Sequence, residues 1–305
     1  QRGEDRKRRR AWLVAVVGSG VLLLVAVTAA LASFLSAPQG TPVRVGWAPV
    51  VDRVVLEKEV QQLGGWLSDE LDRPVVMVVS NDYADLADRL RRRDVAFAVV
   101  PPLLYVRTQA AGGDLAPLAI KEFDGAAGSD GYLLTTRSAA TTVAELQGAT
   151  FCFTDPDSTT GWYLPRRHLR KLGYDADTFV GKIHWSGDHL QLLKDLVAGK
   201  CEAGATYSGA LHVADDLGVP VSRLRVLAVT GFVPQEIVCA GPAASDEDRD
   251  AMTAALLRFD PKEAFGVEAL GATQRITGFS TPATGIFDSL GDGARVEFHK
   301  PPAGE

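Results

Sequence analysis

Ser158, Thr159 and Thr160 stand side by side where an apolar strand gives way to a helix, in the stretch Phe153-Thr-Asp-Pro-Asp-Ser-Thr-Thr-Gly-Trp162. Asp155-Pro156 makes the turn, and Ser158 has the side chain of an N-cap. The residues after it present backbone N–H groups with no intrahelical acceptor, beside three small hydroxyls. The start of a helix also carries a partial positive charge. Free N–H groups and hydroxyls at a helix start are what a tetrahedral oxyanion needs, and no net cation is required. Pro165 falls within the first turns, where a missing N–H costs least. An ordinary helix cap is the competing reading of the same residues.

Other chemistry is scarce. There is no Gly-x-Ser-x-Gly elbow, no His-Glu-x-x-His, no Walker loop and no paired-carboxylate motif. Oxyanion donors without a nucleophile or base bind but do not react, so an enzyme is not expected, and no cofactor or metal is called for. Cys152, Cys201 and Cys239 are too few and too far apart for a zinc site. They read as three small buried core residues, with one incidental disulfide as the alternative. His184 and Trp185 read as packing residues, His168 and His212 as helix surface. Arg89, Arg91, Arg92 and Arg93 read as a solvated helix face. Glu236 and Asp288 could line a cleft, though nothing singles them out.

The elements that must position the triad alternate between strand and helix. Strands are expected at Val43–Trp47, Pro74–Val79 and Asp94–Val100, with helices at Glu57–Leu71 and Tyr83–Arg92 between them. The pattern restarts with strands at Gly131–Thr136, Ala149–Phe153, Lys182–Trp185, Glu202–Tyr207, Leu224–Val229 and Ile237–Cys239. Helices are expected at Ser158–Leu172, His189–Ala198, Asp246–Phe259 and Pro261–Leu270. This is an α/β chain with parallel pairing. Crossing strands would split it into two lobes around a cleft, one of about 43–130 with 235–290, the other of about 131–234. No repeat at 20–50-residue spacing is present.

The 305 residues are 46% hydrophobic and 23% charged, enough to bury a core. The formal charge is −6, unevenly spread. Residues 1–10 hold six basic residues against two acidic ones, +4, which leaves −10 for the remainder. An acidic body of this kind argues against nucleic-acid binding. Ala11–Leu35 contains no charged residue and is long enough to cross a bilayer as a helix. The basic tip at 1–10 would stay cytoplasmic, and residues 36–42 would link the span to an extracytoplasmic body at 43–290. A cleaved signal peptide competes with the single-pass anchor, but the apolar run is long for one and Pro38 makes a poor cleavage site. Residues 291–305 read as a tail.

Thr154-Asp-Pro-Asp-Ser-Thr-Thr-Gly-Trp-Tyr-Leu-Pro165 resembles the signature of phosphate-, phosphite- and phosphonate-binding proteins of ABC transporters. Four further segments resemble that family in the same order: Val45-Gly-Trp-Ala-Pro49, Asn81-Asp-Tyr83, the strand from Asp94 to Pro102 with Leu103-Leu-Tyr105 after it, and Gly187-Asp-His189 running on through Gly199-Lys-Cys-Glu-Ala-Gly-Ala205. The resemblance covers about 43–290 and implies a two-lobed fold of the periplasmic-binding type (type II), with a hinge. It implies that Ser158, Thr159 and Thr160 hold a phosphorus oxyanion. His189 would donate a hydrogen bond or a charge, so that binding weakens as pH rises. Tyr105 would contact the ligand from the first lobe, and Trp47 would wall the cleft.

Pro101 and Leu104 depart from the family's Gly and Ser. Tyr207 stands where the family has a carboxylate or amide, so ligands bearing an amino group are expected to bind poorly. Closure of the lobes would serve docking on an ABC permease, or sensing linked to a cytoplasmic signalling domain ahead of the anchor. A binding protein that has lost its ligand is a third reading of the same departures.

Overall fold

A computed structural model describes residues 40–291 and Ala294. The first of its two sheets is seeded by Val43–Trp47 (β1), which pairs in parallel with Val75–Val79 (β2) and Phe97–Val100 (β3). The crossovers are the helices Arg53–Glu70 (α1) and Tyr83–Arg91 (α2). The apolar stripe of α1 starts later than the helix itself. Asp52 caps it by accepting from the N–H groups of Val54 and Val55, at 3.0 and 3.1 Å, and the first turn faces solvent. Periodicity marks only the packed part of a helix, so the expected start at Glu57 falls four residues late.

After β3 comes Pro102–Ala110 (α3), which the sequence reading left unassigned. Prolines 101 and 102 look like a strand end, but Pro102 opens a helix, where its missing N–H has no acceptor to lose. Ala116–Phe123 (β4) was also missed, because Lys121 interrupts its apolar run. The chain then enters the second sheet through Gly128–Thr135 (β5), Thr150–Phe153 (β6), Lys182–Trp185 (β7), Ala203–Tyr207 (β8) and Arg225–Pro234 (β9). Its helices are Leu164–Lys171 (α4), Ala176–Phe179 (α5), His189–Val197 (α6) and Ser208–Asp216 (α7). It returns through Ile237–Ala240 (β10), Asp246–Arg258 (α8), Pro261–Phe265 (α9) and Ile276–Ser280 (β11).

The first sheet runs β11-β4-β10-β3-β1-β2 and the second β7-β6-β8-β5-β9. Each carries buried side chains on both faces, so four apolar clusters hold the structure together. The links β4 to β5 and β9 to β10 are the crossings between sheets. In β9 and β10 the register brings Pro234 opposite Gly128 and Ile237 opposite both Val100 and Ile120, so the two crossings lie side by side.

The cysteine reading needs correction. Cys152 and Cys201 form a disulfide with Cα atoms 5.6 Å apart, and only Cys239 is free and buried. Strand β6 lies parallel to β8, with Cys152 opposite Gly204, so the turn leading into β8 brings Cys201 beneath it. A sequence separation of 49 carries no hint of this. Among the described residues no helix is long and apolar enough to cross a membrane; the span expected at 11–35, the basic tip and the tail beyond 291 lie outside them, apart from Ala294.

Candidate functional site

The helix expected from Ser158 does not open as an α-helix. Thr159–Tyr163 is a π turn, in which the Tyr163 N–H reaches back five residues to the Ser158 carbonyl at 3.1 Å. A wider turn leaves one more N–H free at the helix start than an α-turn does, and π turns concentrate at functional sites. Ser158 Oγ accepts from the Gly161 N–H at 3.0 Å, which fixes its hydroxyl and leaves its proton to donate. The preceding turn is locked by Asp157 N–H donating to Asp155 Oδ1 at 2.7 Å and Ser158 N–H to the Asp155 carbonyl at 2.9 Å. Burial pushes the Asp155 carboxyl up to about 7.

Gly161 is required by this packing. A Cβ there would sit 2.0 Å from Thr154 Oγ1 and 2.8 Å from Ser158 Oγ. Gly161→Ala is expected to destabilise the chain by about 1–3 kcal/mol through overpacking. It should also weaken anion binding more than Gly65→Ala, whose added Cβ meets nothing within 4 Å and which, like Gly161, lies outside the positive-φ region. Thermal unfolding with and without ligand measures both, and an unchanged midpoint would remove the case for a tight turn.

Ser158, Thr159 and Thr160 line a cavity of about 40 Å³ at the junction of the two sheets. Roughly 10–15 Å³ on this measure holds one water, so the space suits a few waters or one small tetrahedral ion. Val50, Tyr83, Pro101 and Pro102 face it from the first sheet, His189 and Tyr207 from the second, and Ser129 with Val233–Glu236 from the crossing strands. Hydrogen bonds and an ion pair bridge the two lobes beside it. Thr159 Oγ1 accepts from the Leu103 N–H at 2.9 Å. Buried Arg107 pairs with Asp157 and donates to the Pro156 carbonyl at 2.9 Å. Tyr163 donates its hydroxyl to the Leu290 carbonyl at 2.8 Å, and Arg167 reaches the same carbonyl at 2.6 Å.

Five of the seven residues singled out in the sequence line this cavity: Ser158, Thr159, Thr160, His189 and Tyr207. Trp47 does not wall it. Strand alternation puts Val43, Val45 and Trp47 on one face of β1, and the indole is wholly buried in the cluster under α1 and α8. Tyr105 also misses the cavity. It lies one turn down α3 from Pro102, where its ring stacks on Phe287 with centroids 4.7 Å apart and its hydroxyl meets the Leu115 carbonyl at 3.3 Å.

Of the two contributions expected of His189, a hydrogen bond or a charge, its surroundings favour the hydrogen bond. Burial pulls its imidazole down to about 4, with Glu236 pulling the other way, so the ring is neutral near pH 7. Nδ1 lies 2.9 Å from Thr206 Oγ1, and the ring packs edge-on against Tyr207. If Thr206 donates to Nδ1, the proton sits on Nε2 and can be given to a ligand. Burial likewise raises the hydroxyls of Tyr83 and Tyr207, with nearby carboxylates adding to the effect, so both phenols stay protonated donors.

Glu236, one of the two carboxylates that could line a cleft, does face the cavity, and its partner Lys121 was not singled out. The Lys121 ammonium lies 2.8 Å from Glu236 Oε2 and 3.0 Å from Gln274 Oε1, all three side chains being buried. Burial alone would raise the Glu236 carboxyl, but Lys121 outweighs it and holds the group below its usual value. The only sequence signal was a Lys inside an apolar strand and a Glu just before another; pairing across β4 and β10 needs the register to be known.

A second cluster of donor atoms is taken up within the chain itself. Donor atoms of Cys152, His184 and Asp195 lie within 4.8 Å of one another, but the disulfide leaves Cys152 no thiolate. Asp195 is taken up by Lys200 at 2.8 Å, Gln191 at 2.7 Å, Ser186 at 2.9 Å and His184 at 3.0 Å. Burial would raise it, but these partners hold it at about 2. Their role is to pin α6 and the loop that presents His189.

Two α/β lobes joined by paired crossings, closed on a small cavity of hydroxyl and N–H donors, define a solute-binding protein of the periplasmic-binding type. The chain belongs to the family of phosphonate-binding periplasmic substrate-binding proteins of ABC transporters, whose profile matches residues 45–284. It is 26% identical over 198 residues to the phosphate-import protein PhnD of Mycolicibacterium smegmatis, an alignment covering 61% of this chain and 62% of that one. Among solved structures it is similar to PhnD1 of Prochlorococcus marinus in complex with methylphosphonate, with a TM-score of 0.71, 17% identity, and coverage of 82% of this chain and 95% of that one. It is also similar to the binding-protein component of an ABC phosphonate transporter from Pseudomonas aeruginosa, with a TM-score of 0.70, 15% identity, and coverage of 82% and 84%.

Proposed function

We propose that the cavity binds one small phosphorus oxyanion (phosphate, phosphite or a short phosphonate) and that the chain delivers it to an ABC permease from the outer face of a membrane, held there by residues 11–35. The observation that carries the reading is the π turn at Thr159–Tyr163, whose free N–H groups and hydroxyls meet at a small cavity the size of such an ion. Anion desolvation is repaid only where donors already wait for it, which is the basis of selectivity. Ser158, Thr159 and Thr160 hold the oxyanion, neutral His189 adds a donor from the opposite helix start, and Tyr83 and Tyr207 add phenolic protons. The methylphosphonate held by the Prochlorococcus marinus relative and the import role of the Mycolicibacterium smegmatis relative support this ligand class. Family membership favours transport over sensing.

The small cavity favours a ligand with at most one short substituent. Calorimetry and thermal shift with phosphate, phosphite, methylphosphonate and 2-aminoethylphosphonate test this. At a hundred times its dissociation constant a ligand adds about 2.7 kcal/mol of stability. The first three are expected to shift the midpoint by several degrees, and the aminoethyl compound less. Ser158→Ala removes a donor to the anion and the cap on Gly161, and should weaken binding by about 1–2 kcal/mol, roughly tenfold. No shift with any phosphorus compound would refute the ligand assignment.

A further inference from the structure

The cavity contains one group at odds with anion binding. Glu236 lines it from the β9–β10 crossing, and a carboxylate can only accept hydrogen bonds. Lys121 neutralises it through Oε2 but does not itself reach the cavity, and among the described residues none that lines it is Lys or Arg. The other groups around Glu236 are neutral: His189 from α6, Tyr207 from β8, and Tyr83 from α2. Asp155 and Asp188, at the starts of the two opposing helices, add negative rather than positive charge to the surroundings. A second negative charge on the ligand would therefore be buried with no cation to meet it. A ligand oxygen beside Glu236 must bring a proton or leave two acceptors facing each other.

We propose that Glu236 selects oxyanions that still carry a proton: the ligand binds as a monoanion, its ionised oxygens on the Ser158–Thr160 turn and its P–O–H donated to the Glu236 carboxylate. The proposal rests on the assignment of the cavity to a phosphorus oxyanion and narrows it. Sulfate and methanesulfonate have the right shape, but near neutral pH they carry no proton and are excluded. Such a charge-assisted O–H bond is about twice as strong as a neutral one, which is the source of the discrimination.

Calorimetry on the full chain from about pH 5 to about pH 8 tests this, because binding only the monoanion costs about tenfold in affinity for each pH unit above the ligand's second ionisation. The onset of that loss should move with the ligand, earliest for phosphite, later for phosphate and latest for methylphosphonate. Asp155 titrates in the same range and could also weaken binding, but its effect would set in at one pH for every ligand. An onset common to all three, or no loss at all, overturns the proposal while leaving phosphorus binding intact. No binding of any of the three at any pH overturns the ligand assignment and this proposal together. Glu236→Gln offers an amide N–H in place of the carboxylate. It should flatten the pH dependence and admit sulfate or methanesulfonate, with their affinity rising at least roughly tenfold. Because that variant strands Lys121, the double variant Lys121→Met with Glu236→Gln is measured beside it. Continued rejection of sulfate by a folded double variant also overturns the proposal.

Discussion

Lys121→Met is expected to lower stability by roughly 3–5 kcal/mol, the usual cost of leaving one member of a buried ion pair without its partner. In a chain of this size that is a fall in the unfolding midpoint of about 10 °C. The loss should depend on pH in a defined direction. With Lys121 present, the Glu236 carboxyl is held below its unfolded value, so the pair stabilises above that value and its contribution fades as pH falls through the folded one. Without Lys121 burial is the largest influence left, and burial raises the carboxyl. The variant then binds a proton more tightly folded than unfolded, so its deficit is greatest near neutral pH and shrinks as Glu236 is protonated in acid. Thermal unfolding of both proteins at about pH 4.5 and about pH 7.5 measures this. A gap between them that stays constant, or widens in acid, would show that the pair is not the electrostatic unit described.

Removing the disulfide by the double change Cys152→Ala with Cys201→Ala should cost about 4 kcal/mol, the loop-closure value for a cross-link of 49 residues. Alanine is chosen because both sites are fully buried and serine would bury two hydroxyls. Neither cysteine lines the cavity. Ligand affinity measured well below the midpoint should therefore stay within about threefold of the parent. Denaturant unfolding separates the two effects. A stability change under about 1 kcal/mol would mean that the unfolded chain is already restrained over this segment. A large loss of affinity in the folded variant would mean that the bond positions Phe153 and the turn after it.

Much of the site could be read from residue types because its donors are local. Ser158, Thr159, Thr160 and Gly161 are neighbours in the chain, and a strand, a turn and a helix start are enough to aim them together. His189 opens α6 in the same way, capped by Asp188, whose side chain accepts from the Gln191 N–H at 2.8 Å. The π geometry of the turn was not legible. It is set by the contact of Gly161 with Thr154 and by the Leu103 N–H arriving from the other lobe, and neither is a property of the segment itself.

The remaining site residues depend on which face of an element meets the cavity. Trp47 was expected in the cleft because it ends a strand in the right motif, but alternation along β1 turns it into the core. Glu236 was one of two carboxylates that could line a cleft and nothing in the sequence singled it out, yet the antiparallel register of β10 with β4 sets it beside Lys121 and at the cavity wall. Whether His189 offers a hydrogen bond or a charge was not legible for a related reason, since protonation depends on how completely neighbouring lobes exclude water. From the sequence alone came the α/β class, the order of most strands and helices, and a turn with clustered hydroxyls at a helix start, because periodicity and capping are encoded within a few residues. Closure of the lobes, the neutral state of His189, the disulfide and the paired Lys121 and Glu236 were decided by the tertiary structure, because each depends on groups brought together from distant segments.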